Sequence, residues 1–110
     1  MKPFLLYGAL SLGLLPQLAL AQEPEPKMSR PDPAKGAQLA QRWCAACHIV
    51  SKDQTRATDG TRSFAAIAQG ADFNVEKLAF FLLDPHPVMP NMTLSRDEAR
   101  DIAAYIGRQK

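Results

Sequence analysis

The sequence predicts an all-α domain over residues 32–110, on three observations. Helix-start signals stand at Asp32, Asn74 and Ser95, and the apolar residues after each recur at helical spacing. No strand signal, repeat or low-complexity tract competes with them. Large apolar side chains are also scarce: residues 1–21 hold 14 apolar residues, and the other 89 residues hold 37, of which 14 are Ala. About 90 residues so composed lie near the lower limit for a self-sufficient core, so a staple, a metal or a bulky cofactor is expected to complete the interior.

In chain order, residues 1–21 read as a secretory signal peptide. Lys2 supplies the positive start, an apolar stretch follows, and Ala19-Leu20-Ala21 gives the small-x-small cleavage pattern, with cleavage after Ala21. The apolar segment contains Pro16 and is short for a membrane span, so no stable span is expected after cleavage. The mature chain then works outside the cytoplasm, in the periplasm. Losing Lys2 leaves 12 basic against 11 acidic residues. With no basic run and no aromatic-basic interleaving, nucleic acid is excluded as a partner.

Residues 22–31, QEPEPKMSRP, are too rich in Pro and charge to offset their ordering entropy and read as a flexible leader. Asp32 then caps a first helix with Pro33 at its first position, and the pattern runs through Gly36, Leu39, Ala40 and Trp43 to His48. Residues 49–61 are polar, close on Asp59-Gly60, and form a surface loop. A short helix spans 63–69 and stops at Gly70. Asn74 caps a third helix through Leu83, and Asp84-Pro85-His86-Pro87 ends it. Ser95 and Glu98 form a capping box for the last helix, which carries Ala99, Ile102, Ala103 and Ile106 and stops at Gly107.

The chemistry lies in Cys44-Ala45-Ala46-Cys47-His48, a C-x-x-C-H pattern that is the attachment signature of c-type haem. Residues three and four apart share a helix face. Cys44 and Cys47 can therefore reach the two vinyl groups of one porphyrin as thioethers while His48 serves as proximal iron ligand. Other readings explain less. A Cys44–Cys47 disulfide would close a very short loop and leave His48 idle. A thioredoxin-like pair needs a βαβ setting, and zinc would require His86, in a Pro-His-Pro turn, as a fourth ligand.

From residue 32 to 110 the chain resembles the small monohaem class I c-type cytochromes. Gly36 stands eight residues before Cys44, where the family has a glycine that lets the first and last helices cross closely. The C-A-A-C-H pentapeptide follows, then Met89-Pro90-Asn91-Met92-Thr93-Leu94-Ser95, similar to the family's methionine-ligand loop. Tyr105 sits where an aromatic usually packs beside that glycine. The resemblance implies a cytochrome c-like fold of three to four short helices wrapped around one covalent haem c, with Met89 as distal ligand, Met92 as second choice and His86 as a third. It also implies that Arg62, standing where relatives often carry Pro, offers its carbonyl to the proximal histidine. Trp43, Phe64, Phe73, Phe80 and Phe81 are expected to pack around the macrocycle.

The function so implied is exported electron transfer through a His/Met-ligated haem, not enzyme catalysis, in a respiratory or periplasmic redox chain. The partners are redox proteins, met as a monomer or from within a redox complex. The competing class is a haem enzyme or sensor whose sixth iron position is open or labile. A mild excess of basic residues between Arg30 and Arg62, six against three acidic, could aid docking.

Overall fold

The computed structural model describes residues 3, 8, 13, 14, 16, 18–25 and 27–110. Most of the segment read as a signal peptide lies outside the described residues. Among the described residues, no helix is long and apolar enough to cross a membrane. Four helices appear in order, with no strands among the described residues: α1 (Pro33–Trp43), α2 (Phe64–Ala68), α3 (Val75–Leu83) and α4 (Arg96–Gly107).

The caps foreseen in the sequence are formed. Asp32 Oδ1 accepts from the amides of Ala34 at 2.9 Å and Lys35 at 3.2 Å, with Pro33 at the first helical position. Asn74 Oδ1 accepts from Lys77 N at 2.9 Å. Ser95 and Glu98 make the reciprocal capping box, at 3.1 and 2.8 Å.

α4 is the spine against which the other three helices pack. Its buried face, Ala99, Ile102, Ala103 and Ile106, has the helical periodicity read from the sequence. α1 meets it with small residues, Gly36 and Ala40. A Cβ on Gly36 would collide with the backbone carbonyl of Asp101 and lie 2.9 Å from Tyr105 Cβ, so only glycine allows this crossing.

The segment before α1 is tied to α4 as well. Asp32 N donates to the buried Asp101 carboxylate at 2.7 Å, Ser29 Oγ to Asp97 Oδ2 at 3.1 Å, and Arg100 Nη1 to Ser29 O at 2.9 Å. The C-terminal end of the segment read as a leader thus lies against the helix pair.

Two expectations are corrected. α1 stops at Trp43 rather than running to His48, and residues 44–48 continue as tight turns, with Cys47 N and His48 N both donating to Cys44 O at 3.1 and 2.9 Å. The aromatics also do not all face one way. Phe73 packs beside Gly107 and under Lys110, and Phe80, 79 % exposed, faces solvent. Only Trp43, Phe64 and Phe81 of that set line the large cavity described below.

Candidate haem site

The segment leaving α1 carries Cys44, Cys47 and His48 onto the wall of a cavity of about 570 Å3. Leu78, Phe81 and Leu82 line it from α3, Phe64 and Ile67 from α2, Ile106 from α4, and His86, Val88, Met89 and Met92 from the loop after α3. The structure therefore brings together every candidate ligand named from the sequence. The cavity wall is mainly apolar, and its volume falls within the roughly 300–1,000 Å3 of small-molecule and cofactor sites.

Several large apolar side chains that line this cavity are left uncovered by protein: Trp43 is 42 %, Phe81 38 % and Val88 90 % exposed. The largest fully buried side chains are only Ile102, Ile106 and Val50. The interior deficit counted in the sequence thus has a location, and a planar apolar group bound there would cover these rings. A second cleft, about 560 Å3, runs along Arg30, Asp32, Lys35, Asp97 and Asp101. It is charged and holds neither cysteine nor histidine.

His48 has its ring orientation set by backbone. Nδ1 lies 2.5 Å from the carbonyl oxygen of Arg62. A carbonyl only accepts, so Nδ1 carries the proton and Nε2 keeps its lone pair for a metal. The carbonyl that relatives obtain from proline is therefore supplied by arginine. The Arg62 guanidinium donates to Ala66 O at 3.1 Å, tethering the residue to α2 in place of a pyrrolidine ring. Phe64 stands against the imidazole, with ring centroids 5.7 Å apart.

The two cysteines are free and differ in exposure, Cys44 buried and Cys47 exposed. Burial first, and the neighbouring Cys47 second, push the Cys44 thiol up to about 11, so it stays protonated at neutral pH.

Met89 and Met92 both line the cavity but differ in packing. Met92 is 9 % exposed and belongs to the core cluster, whereas Met89 is partly buried beside it. The loop is fixed by Met89 N donating to His86 O at 2.9 Å and by Thr93 N donating to Asn91 Oδ1 at 2.9 Å. His86 pairs with Phe81, centroids 5.8 Å apart.

One residue of the site went unread in the sequence. The Gln54 amide group donates through Nε2 to Ala45 O at 2.9 Å, His48 O at 2.7 Å and Arg56 O at 2.8 Å, and accepts from Val50 N at 3.0 Å. A lone glutamine in a polar loop carries no spacing signal that would have marked it.

An all-α fold with paired cysteines and an oriented imidazole at one apolar cavity defines a small c-type cytochrome. The family model described as cytochrome c oxidase, cbb3-type, subunit III matches residues 31–106, and the chain belongs to that family. It is 60 % identical over 76 residues to cytochrome c-552 of Bradyrhizobium diazoefficiens, covering 69 % of this chain and 73 % of the relative. No solved structure gives a significant match. Family membership carries with it covalently bound haem c and a role in electron transfer.

Proposed function

We propose that the protein is an exported, periplasmic electron carrier rather than an enzyme, holding one haem through Cys44 and Cys47 with His48 and Met89 as the axial ligands. Residues 1–21 direct export and are cleaved after Ala21 in this reading, residues 22–31 lead into the domain, and 32–110 form it. One observation carries the reading: the His48 ring, fixed through Nδ1 by Arg62 O, stands on the same apolar cavity as both cysteines and Met89.

Haem supplies a one-electron couple at iron. The chain's own contribution is anchorage, orientation and exclusion of water. The cysteines hold the group at the end of α1, and the Nδ1–H bond keeps the imidazole from turning when the charge at the metal changes. Met89 offers a neutral thioether, which favours the reduced state and leaves no position for substrate. Leu78, Phe81 and Leu82 keep that side of the cavity dry. Redox partners would meet such a domain through a small, transient contact.

An absorption and redox titration of the exported protein tests this reading. A six-coordinate spectrum in both oxidation states, unchanged when carbon monoxide is added to the reduced protein, is expected. Rapid carbon monoxide binding at neutral pH would overturn the carrier assignment in favour of an enzyme or sensor.

A further inference from the structure

Four carbonyls in and just after the pentapeptide accept from residues 54–64. Ala45 O and His48 O accept from Gln54 Nε2, Cys47 O from Thr58 N at 3.1 Å, and Ile49 O from Phe64 N at 2.9 Å. Gln54 is the only side chain among these donors, and the shortest of its bonds, 2.7 Å, falls on the residue that presents the imidazole. Its Oε1 turns back to hold Val50 N, and Val50 O in turn receives the Tyr105 phenol at 2.6 Å. A part-buried amide whose NH2 group faces three carbonyls and whose oxygen accepts from Val50 N therefore joins the backbone of His48 to α4.

We propose that Gln54 is the positioning residue of the proximal ligand: its amide locks the backbone of His48 so that Nδ1–H stays on Arg62 O. This rests on the assignment of His48 as an iron ligand. Two anchors fix the imidazole, one on its ring and one on its main chain. Residues 45–48 have left the regular α1 ladder and are held by turn bonds to Ala40 O and Cys44 O and by Thr58 N on Cys47 O, and Gln54 adds the side-chain bonds on Ala45 O and His48 O. A strong Nδ1–H bond makes the imidazole more electron-donating and favours ferric iron. Loosening the clamp weakens that bond and moves the couple toward the ferrous state.

Two substitutions in the full-length holoprotein test this. Gln54→Met keeps the length and removes every polar bond, and Gln54→Glu keeps the acceptor for Val50 N but loses the donors. Ser29→Ala, which removes the exposed Ser29–Asp97 bond away from the haem cavity, controls for lost stability. Gln54→Met is expected to shift the ferric/ferrous equilibrium toward ferrous by up to about tenfold, a tenfold change being about 59 mV for one electron, whereas the carboxylate added in Gln54→Glu opposes that shift. Both variants are also expected to speed solvent exchange of the His48 Nδ1 proton, while Ser29→Ala leaves both readings unchanged. If Gln54→Met yields no holoprotein, Gln54→Glu decides. An unchanged exchange rate of the His48 Nδ1 proton in Gln54→Glu would overturn the proposal. A wild-type spectrum without an imidazole ligand would instead overturn the His48 assignment on which it stands.

Discussion

The Tyr105 phenol donates a 2.6 Å hydrogen bond to the carbonyl oxygen of Val50. The bond joins the last turn of α4 to the loop that follows the cysteine–histidine motif, across 55 positions of sequence. Phe64 packs edge-on against the same phenol, 6.2 Å between centroids, so one aromatic pair braces the proximal side. Tyr105→Phe keeps the ring and removes the bond, leaving Val50 O without this donor. A loss of about 0.5–1.5 kcal/mol is expected, read from the denaturant midpoint of the holoprotein.

The same residue sets an alkaline limit on stability. Burial raises the Tyr105 pKa above its ordinary value of about 10. The folded chain thus holds the phenolic proton to higher pH than the unfolded chain. The resulting stabilisation is complete below about pH 10 and is lost as pH rises through the shifted value. Denaturant midpoints measured from neutral pH upward should fall more steeply above about pH 10 in wild type than in Tyr105→Phe. Equal slopes would show that the phenol does not contribute.

Gly36 governs how closely α1 and α4 approach. The atoms that an added Cβ would meet are the Asp101 carbonyl and Tyr105 Cβ, neither of which is the end of a flexible side chain. Gly36→Ala therefore forces the helices apart and disturbs the Asp32–Asp101 bond at their shared end. A destabilisation of about 3 kcal/mol is expected. Thermal unfolding of the holoprotein measures it, and a loss below about 0.5 kcal/mol would mean that the crossing adjusts freely.

Where structure was decided by neighbours in sequence, it was legible. Asp32, Asn74, Ser95 and Glu98 satisfy amides two or three residues away, and the four helices begin where these caps and Ser63 place them. The pentapeptide was legible because its spacing is itself the chemistry. The end of α1 was not, because residues 45–48 are held by Gln54 and Thr58, beyond any local pattern. Nor does an aromatic carry its direction in its identity. Phe80 and Phe81 are adjacent, yet the step of about 100° between neighbouring helical residues sends Phe81 to the cavity and Phe80 to solvent.

Thr93 was also hidden. It has φ of 53°, left-handed backbone that a β-branched residue rarely adopts, and the Asn91 side chain holds it there by accepting its amide hydrogen. The turn places Met92 in the core and hands the chain to Leu94 and the Ser95 cap. Thr93 is exposed, so changing it costs no packing. Thr93→Asn, which tolerates this conformation, is expected to stabilise the holoprotein by about 0.5–1 kcal/mol. A lowered unfolding temperature would show that the threonine hydroxyl or methyl has a role beyond the turn.

Met89 and Met92 lie three residues apart on one loop, and burial separates their expected roles. Met92 is 9 % exposed and packed in the core, where removing its side chain leaves a hole. Met89, partly buried at the cavity, is the freer of the two to offer its sulfur. Met92→Ala should therefore lose about 2–4 kcal/mol of stability while keeping a low-spin six-coordinate spectrum and its sulfur-to-iron absorption band. Met89→Ala should lose that band, lower the potential and let carbon monoxide bind, with a smaller loss of stability. Spectra of the two variants in both oxidation states, with denaturant midpoints alongside, measure both roles. The reverse pattern, with the band lost only in Met92→Ala, would move the distal ligand to Met92 and leave Met89 as packing.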